Sequence, residues 1–167
     1  KNEIKKIEEV IQQILYVLWD LGYKVGHSTR TIDDCIEKSK LDLTISTSIL
    51  ERRFVCGNVE IYKLLNNKFN LYIEKSKILD FVEAKLEESK LRHKRFGGSR
   101  YVVEPNVKEG KGGIRDLQTL IWIAKYAYQS NSILNLIESE AILKSELFSF
   151  AEAQRFFLSV RCHLHYR

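Results

Sequence analysis

The sequence predicts an α+β fold that is mostly helical. Apolar residues recur at steps of three and four, the spacing that gives a helix one apolar face, over six segments: roughly 2–21, 59–68, 74–96, 114–129, 132–139 and 144–166. Two short segments, 23–28 and 51–56, instead fit strands. This order predicts a small α/β piece near the N-terminus and a helical unit after it, divided near residue 58 by the turn pair Gly57 and Asn58.

The first predicted helix carries its apolar side chains on one stripe. The stripe consists of Ile4, Ile7, Ile11, Ile14, Leu18 and Leu21. Gly22 ends this helix, because glycine tolerates the left-handed conformation that closes a helix. Thr31, followed by Asp33 and Asp34, predicts the start of another short helix, since acidic side chains favour the positive end of the helix dipole.

Residues 42–56 fit two patterns. Leu43, Thr47 and Leu50 share a helical stripe, whereas Glu51 and Arg53 alternate with their neighbours as in a strand. We expect a helix first and a strand from about residue 51.

Composition indicates a soluble globular piece. The 167 residues are 44% hydrophobic and 29% charged, enough for one or two small units with real cores. There is no run of about twenty apolar residues and no signal-peptide pattern, so we expect no membrane span. Three widely spaced cysteines favour a reduced cytoplasmic protein over a disulfide framework or a zinc site. Since methionine is absent and the chain begins within a charged helix, we expect a fragment of a longer protein.

The net charge of +5 suits a phosphate-bearing ligand. The densest basic cluster, between Lys90 and Arg100, follows a helical pattern and could face nucleotide phosphates or an acidic partner. Nucleic-acid binding competes with this interpretation. We expect no nucleic-acid partner, because no RNA- or DNA-binding signature accompanies the charge.

A polar, glycine-rich turn runs directly into an apolar helix near residue 114. Gly110, Gly112 and Gly113 permit a tight backbone, and the first N–H groups of the helix lack intrahelical acceptors and could face an anion. The neighbouring cations are Lys108, Lys111 and Arg115. The alternative is an ordinary loop with solvated lysines.

The segment from Glu104 to Tyr126, EPNVKEGKGGIRDLQTLIWIAKY, resembles a motif of the bacterial PII uridylyltransferase/uridylyl-removing enzyme family, often called GlnD. Three further segments fall in the family's order, and together they cover nearly the whole chain: 25–35 (VGHSTRTIDDC), 42–57 (DLTISTSILERRFVCG) and 157–165 (FLSVRCHLH). Lys111 departs from the proline common in that family, so we expect a looser turn that carries an additional charge.

The resemblance implies a division into two domains. Residues 1–58 would be the C-terminal part of a polymerase-β-like nucleotidyltransferase domain, and residues 59–167 a helical domain. The parent enzyme would transfer UMP from UTP to a tyrosine of the PII regulatory protein with Mg²⁺. Its uridylyl-removing activity would reside in a later domain that is not recognisable here. The Gly-Ser and Asp-x-Asp motif that holds the metals is missing from this sequence, so we expect the chain alone to be inactive.

A third metal-binding carboxylate of that family has two candidates. Glu51 is the first choice for a catalytic and metal-binding role, because in a strand Glu51 and Arg53 would project from one face toward a metal and a phosphate. Alternatively, Glu51 is a surface carboxylate paired with a neighbouring arginine. Asp42 is the second candidate, and its competing role is to cap the helix that begins at Leu43.

Nine residues are candidate nucleotide ligands by resemblance or by position. They are His27, Ser28, Arg30, Arg53, Lys108, Gly112, Gly113, Arg115 and Asp116. Arg30 is a stronger candidate than His27, because a guanidinium binds phosphate oxygens bidentately and a lone histidine at a strand end is usually structural. Asp116 could instead be purely structural, as an early acidic residue of its helix. His163 and His165 point in different directions on a helix and do not indicate a metal pair.

Two other functions remain open from sequence. The chain could be a helical protein-docking module that shares ancestry with the transferase, or part of a related nucleotidyltransferase with another acceptor.

Overall fold

The computed structural model describes residues 2–96, 104, 106–129 and 143–166. In these ranges every regular element is a helix, which confirms the mostly helical prediction. The helices are α1 (Asn2–Asp20), α2 (Ile32–Leu41), α3 (Leu43–Leu50), α4 (Val59–Lys75), α5 (Ile78–Arg95), α6 (Ile114–Ala127) and α7 (Lys144–His165). The chain forms two compact units, Lys1–Thr31 and Ile32–Arg167. The helix predicted at 132–139 lies outside the described residues.

The first unit consists of α1 and the segment after it. Gly22 ends α1 as predicted: its φ is +81°, its N–H donates to the Trp19 carbonyl, and the Tyr23 N–H donates to the Leu18 carbonyl. Residues 23–30 have no regular structure, so the strand predicted at 23–28 is wrong. The Tyr23 N–H already closes the helix, and the described residues offer this segment no strand with which to pair.

The buried side chain of α1 is not on the predicted stripe. Leu15 is only 6% exposed, whereas Ile7, Ile14 and Leu21 of the stripe are all more than half exposed. Ile11 and Leu18 of the stripe, one turn on either side of Leu15, are half-buried, so the covered side of the helix overlaps the predicted stripe in part.

The second unit has one hydrophobic core, to which α3, α4, α5 and α6 contribute. Phe69 is fully buried at its centre. The other core residues are Ile49, Leu50, Ile73, Phe81, Trp122 and Tyr126. Partly buried side chains of α2, including Cys35 and Ile36, pack against this core. Helices on both sides of residue 58 thus share the core, and the domain boundary near that residue stays a prediction.

The strand predicted at 51–56 is also wrong. The N–H groups of Glu51 and Arg52 donate back to carbonyls of α3, which prolongs the last turn of that helix instead of opening a ladder. The Arg52 guanidinium donates to the Ile49 carbonyl at 2.6 Å and to Asn66 of α4, and lies 4.9 Å from the centroid of the Phe69 ring. These contacts hold the segment against the core by its side chain.

The break between α4 and α5 comes later than the sequence predicts. Both the N–H and the hydroxyl of Ser76 donate to the Ile73 carbonyl, at 3.0 and 2.7 Å, and end α4 there. We expected the first helix to stop near residue 68, yet Phe69 and Ile73 lie one turn apart within α4 and both point into the core. Burial of these two side chains explains why the helix continues.

Candidate functional site

The glycine-rich turn before α6 is folded by its own hydrogen bonds. The side-chain oxygen of Asn106 accepts from the N–H groups of Lys108 and Glu109 at 3.1 and 2.8 Å. The main-chain carbonyl of Asn106 accepts a hydrogen bond from the Gly110 N–H at 2.9 Å. Asn106 thus starts the turn as an Asx turn does, with its side-chain oxygen accepting hydrogen bonds in place of a main-chain carbonyl.

The geometry of the turn requires all three of its glycines, and a Cβ at Gly110 would lie 2.6 Å from the main-chain carbonyl oxygen of Asn106. Gly112 has a φ of +79°, a conformation that other residues adopt only with strain. Gly113 has an ordinary φ, but a Cβ there would lie 2.7 Å from the Val107 carbonyl oxygen and 3.0 Å from that of Gly110. The turn therefore closes more tightly than any side chain at residue 113 permits.

Gly113→Ala is expected to destabilise the chain by about 1–3 kcal/mol, the usual cost of overpacking a tight site. Urea unfolding of the full chain measures the change. Gly26→Ala is the matched control, because nothing lies within 4 Å of a Cβ at residue 26. Equal midpoints for the two variants would show that the turn is looser than the structure indicates.

The first N–H groups of α6 are not free for an anion. The Ile114 N–H donates to the Val107 carbonyl and the Arg115 N–H to the Lys108 carbonyl, both at 3.0 Å. The Asp116 N–H donates to the Gly113 carbonyl at the same distance. The N–H groups of Ile114 and Arg115 have no acceptor within α6, as expected, but the preceding turn supplies their acceptors, so the expectation that they could face an anion is wrong. An anion at this end of α6 would have to be bound by side chains.

Asp116 is the centre of a polar cluster that joins the turn to α5. Its carboxylate accepts from the Gly112 N–H at 2.7 Å and lies 2.9 Å from His93 Nε2. It also forms an ion pair with Arg92 and accepts from the Ser89 hydroxyl at 3.3 Å. We call Arg92, His93 and Asp116 the clamp. The clamp fixes the beginning of α6 to the last turns of α5.

Charge and burial act in opposite directions on Asp116. Burial raises the pKa of the carboxyl, but the Gly112 N–H, His93 and Arg92 all favour its charged form, and the pKa is lowered overall. Arg92 is 9% exposed and Asp116 22%. The clamp is therefore an interior ion pair rather than a surface one, and its carboxylate is already compensated by cationic and N–H donors.

The rest of the interface between α5 and α6 is built from aromatic rings. Phe81 stacks on Tyr126 with ring centroids 3.8 Å apart. One turn further along α5, the Lys85 ammonium lies 4.4 Å from the centroid of Trp122 and 2.7 Å from the Glu88 carboxylate. Lys85 is only 2% exposed. The i, i+4 spacing of Phe81, Lys85 and Ser89 could have predicted that these side chains share one face.

The cations of the turn differ in how exposed they are and in how many contacts they make within the protein. Arg115 donates to Gln118 at 2.9 Å, lies 3.5 Å from Glu109 and faces the Trp122 ring, so it is partly occupied within the protein. Lys108 is 3.5 Å from the same Glu109 carboxylate and is about half exposed. Lys111 is exposed. Lys108 and Lys111 are thus better placed than Arg115 to meet a ligand from solvent.

Asp42 caps α3, as its structural alternative predicted. Its carboxylate accepts from the Thr44 N–H at 2.7 Å and from the Ile45 N–H at 3.4 Å. Glu51 is the exposed residue that follows the last turn of the same helix, and Arg53 is exposed beyond it. Because residues 51–56 do not form a strand, strand alternation does not place Glu51 and Arg53 on one face. Catalytic and metal-binding roles for Glu51 and Asp42 stay predictions.

Asp42→Ala is expected to lower the free energy of unfolding by about 1 kcal/mol, because two N–H groups of α3 lose their acceptor. Thermal or urea unfolding measures the loss. Asp42→Asn is the control, since asparagine caps helices as well as aspartate does and should cost much less. Similar losses for both variants would indicate that charge, rather than capping, is what matters at residue 42.

The candidate ligands near the N-terminus belong to the first unit. His27 and Ser28 are exposed and Arg30 is partly buried. The His27 ring lies 6.5 Å from the Trp19 ring in an edge-on arrangement. Arg53 and the candidates around the glycine-rich turn belong to the second unit. Nucleotide contacts by these residues stay predictions.

Metal ligands do not cluster in the described ranges. Among these residues, no group of three or more His, Cys, Asp or Glu side chains is arranged to hold a metal ion. His165 accepts a 3.4 Å hydrogen bond from Arg161 on the exposed face of α7. None of the described helices is long and apolar enough to cross a membrane.

Comparison with known proteins identifies the relatives of this chain. Residues 80–167 match the family model described as GlnD PII-uridylyltransferase. The chain is 48% identical over 161 residues to the bifunctional uridylyltransferase/uridylyl-removing enzyme of Azospirillum brasilense, and 48% identical over 159 residues to that of Rhodospirillum rubrum. The alignments cover 96% and 95% of this chain but only 17% of each relative. No solved structure matches it.

Proposed function

Because this chain belongs to the GlnD PII-uridylyltransferase family, we propose that it forms part of an enzyme that transfers UMP from UTP to the PII regulatory protein. The observation that supports the proposal is the 48% identity over 96% of the chain to a bifunctional uridylyltransferase/uridylyl-removing enzyme. Since the chain spans 17% of that relative, the activity belongs to the full-length protein. We place that protein in the cytoplasm.

In the proposed reaction, a tyrosine hydroxyl of PII attacks the α-phosphorus of UTP. A bond forms between the tyrosine oxygen and phosphorus, the bond from the α-phosphorus to the bridging oxygen breaks, and pyrophosphate leaves. The hydroxyl proton is released to solvent. Mg²⁺ is the cofactor of the full-length enzyme in this proposal, and we assign none of the described residues to it.

The described residues contribute positive charge rather than the reacting groups. Lys108 and Lys111 present ammonium groups at the glycine-rich turn, and ammonium groups attract the phosphate charge of UTP. The turn itself is rigid, because its N–H groups are bonded within the protein. This part of the enzyme thus helps to hold the nucleotide, and the transfer requires residues outside it.

A labelling assay tests the proposed function. The full-length protein, given UTP with a labelled α-phosphate, Mg²⁺ and PII, should label PII, whereas the 167-residue chain alone should not. Strong labelling by the chain alone would contradict the division of roles. If the full-length protein binds PII but never labels it, the protein is a docking module. Labelling of a different acceptor would make it a related nucleotidyltransferase.

A further inference from the structure

Two basic segments that are far apart in the sequence adjoin the clamp. The last turn of α5 carries Lys94 and Arg95, both exposed, directly after His93. The glycine-rich turn carries Lys108 and Lys111. A single oxygen of Asp116 lies 2.9 Å from His93 Nε2 and 2.7 Å from the Gly112 nitrogen. The glycine-rich turn at Gly112 and the last turns of α5 at His93 therefore meet at this carboxylate.

The clamp is built to keep this arrangement fixed. Arg92 is nine-tenths buried, pairs with Asp116 and donates to the Ser89 hydroxyl at 3.0 Å. Removing a buried charge from its partner is far more costly than separating a surface pair. The turn consequently cannot move away from α5 without leaving Arg92 unpaired in the interior.

We propose that Arg92 and His93 are positioning residues: through Asp116 they hold the glycine-rich turn against α5, so that Lys94, Arg95, Lys108 and Lys111 form one surface for the triphosphate of a nucleotide. This inference rests on the proposed function and adds residues of α5 to it. Arg92 also compensates the charge of Asp116, so the only carboxylate of the clamp does not repel phosphate.

A triphosphate fits this surface better than an acidic protein segment does. The four cations lie on two short stretches next to one rigid contact, and a triphosphate carries its charge on three adjacent groups. An acidic protein segment spreads its charge over a greater length. The two ligands predict different kinetic effects, because UTP and PII are separate substrates of the proposed reaction.

The first test neutralises exposed cations in the full-length protein. Lys94→Gln combined with Lys111→Gln should raise the KM for UTP about tenfold, since contacts between charged groups are worth about one such factor or more, and should leave the KM for PII unchanged. Lys63→Gln is the control, because Lys63 is an exposed lysine on α4. An unchanged KM for UTP, or a rise in the KM for PII alone, would overturn the proposal.

The second test separates positioning from general stability. Arg92→Lys keeps the charge but loses the fork of donors, so it should also raise the KM for UTP about tenfold. In the Lys94→Gln, Lys111→Gln background the same change should have little further effect, because the surface it positions has already lost its charge. If the increase in the KM for UTP of the combined variant equals the product of the increases in the two separate variants, Arg92 acts independently of this surface, which contradicts the proposal.

The clamp and the proposed function can fail separately. If Arg92→Lys lowers the melting temperature below the assay temperature, His93→Gln replaces it in the same cycle, with the same expected coupling. Calorimetric titration with UTP measures nucleotide affinity whether or not PII is labelled. If PII is not labelled but the affinity for UTP depends on Lys94 and Lys111, only the transferase function is refuted. If PII is labelled normally but the affinity for UTP does not depend on Lys94 or Lys111, only the proposed surface is refuted.

Discussion

Asp116→Ala is expected to lower the free energy of unfolding by about 3–5 kcal/mol, the usual cost of leaving a buried charge without its partner. Arg92 is 9% exposed and would lose its ion pair, and the Gly112 N–H would lose its acceptor. Both losses act on the same contact between α5 and the glycine-rich turn. Denaturant unfolding of the full chain, with the slope checked for a change in compactness, measures the effect.

Asp33→Ala is the matched control for this change. Asp33 also pairs with a cation, Lys68, but its side chain is 78% exposed, so the loss should stay below about 1 kcal/mol. If Asp116→Ala costs no more than Asp33→Ala, the clamp is an ordinary surface ion pair.

Acid should weaken the clamp in a defined direction. The pKa of Asp116 is lowered in the folded chain, so its contribution to stability is fully present above the pKa of this group in the unfolded chain. The contribution is lost as the pH falls through the folded pKa. The difference in unfolding free energy between the unmodified chain and Asp116→Asn should therefore be constant near neutral pH and shrink in acid. A difference that grows in acid would contradict the lowered pKa.

Phe69→Ala is expected to cost about 3–5 kcal/mol, because the ring is fully buried and its removal leaves a cavity among four helices. The Arg52 guanidinium would also lose the ring that it faces. The expected result is a much lower urea midpoint and a loss of cooperative unfolding if the core no longer packs. Circular dichroism during urea titration measures both.

Phe156→Ala is the control for the core substitution. Phe156 lies on α7 and is 64% exposed, so the same deletion should change the midpoint only slightly. Comparable losses at residues 69 and 156 would show that α7 covers its apolar side chains in solution and that Phe69 has no special place in the core.

Local patterns predicted the helices because the signals for them lie within a few residues. Gly22 supplies the left-handed residue that ends α1, and Asp42 supplies the oxygen that caps α3. The two strand predictions were wrong for the opposite reason. A strand needs a partner elsewhere in the chain, and the alternation at residues 51–56 gave no information about one. The Arg52 side chain instead joins this segment to α4.

The clamp could not be predicted because its members are distant in the sequence. His93 and Asp116 are 23 positions apart, and only the packing of α5 against α6 brings them together. Sequence patterning placed His93 in a basic cluster and Asp116 at the start of a helix, but it gave no sign that they are partners. The prediction of an anion site at the N–H groups of α6 was wrong because Val107 and Lys108 in the preceding turn supply their acceptors.

In the proposed surface, the glycine-rich turn is closed by its own hydrogen bonds and offers its lysine side chains, not its backbone, to a nucleotide. Amide hydrogen exchange over residues 112–117 of the full-length protein, with and without UTP, tests this claim most directly. We predict slow exchange without nucleotide and little change when UTP is added. Fast exchange that becomes slow only with UTP would contradict the claim, because it would mean that the phosphates, and not the turn, supply the acceptors.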